Sequence, residues 1–354
     1  MPTIAQPISL RRPAPRRIAA SPKLVVAIVV GAGLLALALA KSGPLLDALK
    51  RAAEADRRWV VAAVGLEVLS IAGYVLLLHH VVTRATPGLG WRHSYSLSVG
   101  GTAASRLLPT AGLGGVALSV VVMRRTGLKT AAIAERLLAF LLLLYSVFIG
   151  ALLILAATLA TGALPAHGPR LIAAGAALGA ALVGIALLAA LRHPTFVGRI
   201  VPRARPHLGV LDAAARRAAG HLRRPHVALA GAPAWWGFDV AVLWSMLHAF
   251  GAAPPVWVVL FAYFLGSVAN LVPFPGALSG GLIGVLATFG VAPATAVVAV
   301  LAYRAVALWL PTPFGLLALR WLRPGELRAA NVLEPRFERS PAATPQPAPV
   351  AIAA

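Results

Sequence analysis

The sequence predicts an all-α polytopic membrane protein, with six spans plus two re-entrant hairpins in an inverted-topology repeat. Three observations carry this. Of 354 residues, 59% are hydrophobic and only 12% charged, whereas a soluble domain is roughly a quarter charged, and the mean hydropathy is +0.84. The apolar residues come in runs long enough to cross a bilayer. Two further runs, one in each half, are interrupted by Pro and Gly.

A helix needs roughly 20 residues to cross a hydrocarbon core of about 30 Å. The stretches 24–40, 59–83, 131–160, 170–191, 227–250 and 293–319 meet that length within tilt and mismatch, giving the six spans. The interrupted stretch 94–108 stops at Leu108-Pro109-Thr110-Ala111-Gly112 before a run to Met123, and 257–272 stops at Pro273-Phe274-Pro275-Gly276 before a run to Phe289. At ~1.5 Å per residue each arm is too short to span comfortably. Irregular backbone at membrane depth needs protein or a wet cavity to satisfy it, so both regions are expected to be re-entrant hairpins lining an interior site. The competing reading is that Pro and Gly kink ordinary spans.

Charge sets the expected orientation. The tail 1–23, the stretch 84–130, the linker 192–226 and the stretch from Arg320 onward hold 24 of the 32 Lys and Arg, and all four fall on one side of this topology. The positive-inside rule makes that side the cytoplasm, with both termini there. The loop 41–58 is the misfit, with five basic residues on the outer side. Its Asp47/Arg51 and Glu54/Arg58 pairs, at i and i+4, fit a helix lying in the outer interface. The first span, ending Ala38-Leu39-Ala40, also imitates a cleavable signal peptide, and cleavage stays open beside the uncleaved span. The expected organisation is a basic cytoplasmic tail over 1–23, a transmembrane domain over 24–322 with repeat halves of about 24–160 and 170–319, and a disordered Pro- and Ala-rich tail over 323–354.

Several function classes drop out. The chain has no cysteine, so thiol catalysis and Cys-ligated metals are excluded. No nucleophile–base pair, phosphate-binding loop or metal constellation is present, so no enzyme activity, cofactor or metal is expected. The formal charge of +22 does not point to nucleic acid, because the basic residues sit between apolar runs and are not interleaved with stacking aromatics. Anionic lipid is the expected counterpart.

Buried ionisable groups mark the candidate site, since charges inside a membrane are costly. Arg106 precedes the first turn, Glu135 and Arg136 open the third span, Arg304 lies well inside the last, and Glu67 and Asp239 lie near the middle of two others. Guanidinium forks suit phosphate, so Arg106, Arg136 and Arg304 are candidates for a phosphate site beneath the Gly-rich turns, whose backbone N–H groups at Gly112, Gly114, Gly115 and Gly276 add donors. Glu67 and Asp239 are candidates to receive a cationic headgroup or a coupling proton, and Asn270 to cap a broken helix end. The competing reading pairs these acids and bases as structural glue. His79, His80 and His248 lack ligand spacing, and Trp235, Trp236, Trp244, Trp257, Trp309 and Trp321 read as interfacial anchors. In the linker, Leu208, Leu211, Ala215, Ala218 and Leu222 form a helical stripe, expected on the cytoplasmic membrane surface, with partner docking as the alternative.

Two signatures carry a resemblance. Pro109-Thr110-Ala111-Gly112-Leu113-Gly114-Gly115, then Arg124-Arg125-Thr126-Gly127 and Ala134-Glu135-Arg136, resembles the first signature of the lysylphosphatidylglycerol synthase transmembrane-region family, also called flippase-like membrane proteins. Pro273-Phe274-Pro275-Gly276 through Phe289-Gly290-Val291 to Tyr303-Arg304 is similar to its C-terminal signature. The resemblance implies a multi-pass protein of the bacterial inner membrane, and in synthase-fused members the movement of aminoacylated phosphatidylglycerol between leaflets. Val116 and Leu282 stand where the family often has an acidic residue, and the second turn reads Pro-Gly-Ala-Leu-Ser-Gly-Gly. No synthase domain is recognised, so lipid aminoacylation is not expected. The leading expectation is a translocase of an anionic phospholipid or lipid-linked headgroup. The alternatives are a non-transporting partner that recruits a separate synthase or glycosyltransferase, and a weaker intramembrane enzyme acting on a lipid phosphate.

Overall fold

The computed structural model describes residues 54–86, 88–107, 114–193, 199, 205–271 and 276–322. The expected first span, both terminal tails, most of loop 41–58 and the turns at Pro109 to Leu113 and Pro273 to Pro275 lie outside the described residues. Among the described residues all regular structure is helical: α1 (Arg57–Leu78), α2 (Trp91–Leu107), α3 (Gly114–Arg125), α4 (Thr130–Thr161), α5 (Arg170–Arg192), α6 (Arg205–Arg223), α7 (Gly231–Ala249), α8 (Val256–Val268), α9 (Ala277–Thr288), α10 (Pro293–Arg304) and α11 (Pro311–Ala318).

Among the described residues five helical stretches are long and apolar enough to cross a membrane: Arg57–Thr83, Thr130–Thr161, Arg170–Arg192, Val227–Ala249 and Pro293–Leu322. They coincide with the second to sixth spans read from the sequence. Local chemistry explains their ends. Asp56 caps α1 by accepting from the Arg58 amide at 2.9 Å, Gly162 closes α4 in the left-handed region, and Pro293 opens α10 where no N–H is needed. The last stretch is not a uniform helix. Pro311 has no N–H for the preceding turn, and the ladder widens into a π turn over Ala305–Trp309 just after Arg304. A second π turn, His79–Thr83, ends α1.

Both interrupted regions are pairs of short helices packed on one another, α2 on α3 and α8 on α9. Their arms of 12 to 17 residues are about 18 to 26 Å long at ~1.5 Å per residue. Glycine sits at both contacts: Gly101 lies against Gly115, and Gly266 against Gly281 and Leu282. The backbones meet with no side chain between them, the close approach that small residues permit in apolar surroundings. Leu282 is fully buried there.

The remaining packing makes two apolar cores. One gathers Phe261, Leu282, Leu286 and Val300 with Leu243 and Leu247 around the α8–α9 hairpin. The other gathers Leu77, Val81, Met123, Ile133 and Phe140 with Ala214 and Ala218 around the α2–α3 hairpin. Trp236 packs against both. At one end of the bundle the Asp56 amide donates to the Ala249 carbonyl and the Trp257 indole to Pro165; at the other, Arg125 donates to the Leu322 carbonyl. Among the described residues Arg84, Arg92, Arg124, Arg125, Arg217 and Arg320 lie toward that second end, and Arg57, Arg58 and Arg170 toward the first.

The linker forms a helix, α6, one face of which lies against the chain's own helices. α6 packs on α4, with Ala214 and Ala218 buried in the second core while Leu222 stays exposed. Small alanine side chains let α6 fit closely against another helix.

Candidate functional site

Between the two cores lies a cavity of about 350 Å³ walled by α1, α4, α7, the tip of the α8–α9 hairpin and α10. Glu67, Asp239, Asn270 and Arg304 line it. Four sequence-predicted site residues, from four separate stretches of chain, are therefore gathered in one place. Glu67 is 3% exposed and Asp239 8%. Burial of that degree requires compensation for a carboxylate. For Asp239 it comes from two phenols: Tyr263 on α8 and Tyr303 on α10 both donate to Oδ2, the latter at 3.0 Å. Hydrogen bonds to an ionised acceptor are the strong ones. Arg304, half-buried, lies within Coulombic range of Asp239 and Tyr263, and Glu67 within range of Tyr303.

Aromatic side chains close the polar space. Trp235, Trp236, Tyr145 and Phe148 form its wall, and the Trp236 indole is fixed by donating to the Leu144 carbonyl at 2.8 Å. On their other side is a second cavity of about 320 Å³, lined by Gly101, Thr102, Gly115, Val116 and Ser119 of the α2–α3 hairpin together with Tyr74. Trp235, Trp236 and Tyr145 belong to both walls. A crevice of about 30 Å³ shares Glu67 with the first cavity and Tyr74, Ser98 and Thr102 with the second. One guanidinium and two carboxylates in an apolar-walled space can hold a phosphate and an adjoining cation, with the phenols as neutral donors.

The sequence matches the family described as Lysylphosphatidylglycerol synthase TM region over residues 24–315. The chain belongs to that family. Both hairpins and every cavity residue named above fall inside the match, and this lysylphosphatidylglycerol synthase TM region protein is a multi-pass membrane protein. No match is found among curated proteins.

In this family member Arg136 and Glu135, also predicted at the site, lie elsewhere. Arg136 does not meet Arg304: it sits on α4 about 13 Å before Tyr145 at ~1.5 Å per residue, and donates to the Thr86 hydroxyl at 2.5 Å. Glu135 faces another neighbour, pairing with Arg217 of α6 at 2.7 Å. Adjacent helical residues point about 100° apart, which separates the two. Arg106 lies near the end of α2, with its side chain outside the described residues, as is all of Gly112. Gly114 and Gly115 open α3, and Gly276 caps α9 at φ +86°, a conformation that favours glycine. Trp235 and Trp236, read as interfacial anchors, are interior cavity walls.

Sequence reasoning gave Tyr263 and Tyr303 no role at the site and did not group His80 with His221 and His226. A phenol inside an apolar run was the available signal, since a buried hydroxyl needs a partner. His80 stacks on His226 at 4.4 Å and meets His221 at 5.1 Å, a grouping of distant positions with no sequence spacing to betray it.

Proposed function

We propose that this protein moves a phospholipid or lipid-linked headgroup between membrane leaflets, and that the cavity around Arg304 is where the headgroup is held. The observation that carries the reading is the convergence of Arg304, Asp239, Glu67 and Asn270 at the tip of a helical hairpin inside an apolar bundle. Arg304 takes the phosphate, and the two carboxylates take a cationic group or a coupling proton. The hairpins α2–α3 and α8–α9 act as re-entrant halves of an inverted repeat, each with paired glycines and each lining one cavity. The basic end faces the cytoplasm of a bacterial inner membrane. No chemical step is assigned to the chain.

The recruitment reading draws less support, because α6 directs its alanine stripe and Arg217 to the chain's own α4. The test is leaflet exchange of a labelled phosphatidylglycerol in proteoliposomes, with native mass spectrometry of retained lipid beside it. Arg304→Gln is expected to lower exchange about tenfold or more and to release the retained lipid. Exchange no faster than in protein-free vesicles defeats the reading; equal exchange by wild type and Arg304→Gln defeats the site.

A further inference from the structure

At the basic end, away from the cavity, three imidazoles and two guanidinium groups form a chain of neighbours. His80 of the π turn stacks on His226 with ring centroids 4.4 Å apart and 16° between planes, and meets His221 of α6 edge-on at 5.1 Å. Arg217, one turn before His221, lies within Coulombic range of both His221 and Arg136, and Arg84 within range of His80. Among the described residues one carboxylate contacts this group: Glu135, paired with Arg217. Asp212 is turned to Arg216 instead. Two nitrogens in the cluster, Nε of Arg136 and Nδ1 of His80, are buried with no hydrogen-bond partner among the described residues. Buried donors are costly to leave unsatisfied, and the like charges of Arg136 and Arg217 repel. Both costs vanish when an anion with several acceptor oxygens is bound.

We propose that His80, Arg136, Arg217 and His221 form a second anion site, selective for a phosphate group, at the seam between the linker helix α6 and the ends of α1 and α4. The Arg136 guanidinium supplies the buried Nε–H and a planar fork, and His80 supplies a further donor. Glu135 competes with the ligand for Arg217. The phosphate belongs either to a lipid headgroup at the interface or to a soluble phosphate compound. This inference does not depend on transport through the cavity.

The full chain is placed in nanodiscs of phosphatidylcholine and titrated with inorganic phosphate, followed by phosphorus NMR. In the second arm, native mass spectrometry reads phosphatidylglycerol retained from mixed nanodiscs. Both arms are repeated with Arg304→Gln, so that binding at the cavity is separated from binding here. Arg136→Gln is expected to weaken the response about tenfold, and Glu135→Gln, which frees Arg217, to strengthen it by a similar factor. The gain with Glu135→Gln guards against a loss caused by misfolding. A response in the first arm identifies a soluble ligand, and one confined to the second identifies a lipid. If neither arm responds to either variant, or if Glu135→Gln weakens binding, the site does not exist.

Discussion

The Tyr303 hydroxyl donates to Oδ2 of Asp239 across 3.0 Å, and the next residue along α10 is Arg304. The bond fixes the rotation of α10 against α7, so a neutral phenol on one helix aims the guanidinium beside it. Tyr263 reaches the same oxygen from α8, and three helices are tied at one carboxylate.

Tyr303→Phe removes one hydrogen bond to a charged group and is expected to cost about 1.5–3 kcal/mol. Asp239→Asn costs a comparable amount, and the double variant costs less than the sum, because the two residues share one interaction. Thermal unfolding in detergent measures the cycle. Strict additivity would show that the pair is not coupled.

The linker helix carries a pH dependence. Burial, with Arg217 as second cause, holds the His221 imidazole below its ordinary value of 6.5. The folded form therefore binds the proton less readily than the unfolded one. Its contribution is fully present above the unfolded value and is lost as pH falls through it. The protection of α6 amides, with exchange corrected for its intrinsic pH dependence, is expected to fall as pH drops through about 6.5, more than in α7. His221→Gln should flatten that response; an unchanged one would assign it to another group.

Gly281→Ala places a methyl against the Gly266 carbonyl, and the α8–α9 hairpin must open to accept it. A cost of about 1–3 kcal/mol or more follows. Gly284, on the same helix, has nothing within 4 Å of an added methyl, so Gly284→Ala is expected to be neutral or slightly stabilising. Comparing the two melting temperatures separates backbone approach from helix propensity.

Trp236→Ala deletes the partition between the cavities and its bond to Leu144. The expected cost is about 3–5 kcal/mol. Trp236→Phe keeps most of the wall and loses about 0.5–1.5 kcal/mol with the indole N–H. Unfolding measurements on both variants give the ratio, and near-equal losses would mean that the hydrogen bond, not the bulk, holds the partition.

Much of this architecture is written in local chemistry. Continuous apolar length marks a span, and Pro273 or Pro109 marks a break, because both act within one helix turn. Glu67, Asp239 and Arg304 stood out for the same reason, as charges where charge is expensive. What stayed hidden was pairing. Glu135 and Arg217 are 82 residues apart, and Asp239 and Tyr303 are 64. Which helices face one another is decided by packing, and no short-range pattern encodes it. Arg136 was assigned to the Arg304 site on chemistry alone, and the rotation of α4 sends it to Thr86.

The π turn between Arg304 and Pro311 sets a phase. Above it, Tyr303 and Arg304 address α7 and the α8–α9 hairpin; below it, Gly315 rests on the Val99 backbone of α2. One rod thus meshes with both hairpins, like a shaft carrying two gears keyed at different angles. Removing a single residue from Ala305–Trp309 would turn the lower gear by about 100° relative to the upper and draw it ~1.5 Å nearer. The two hairpins would fall out of step with every side chain of either one left intact.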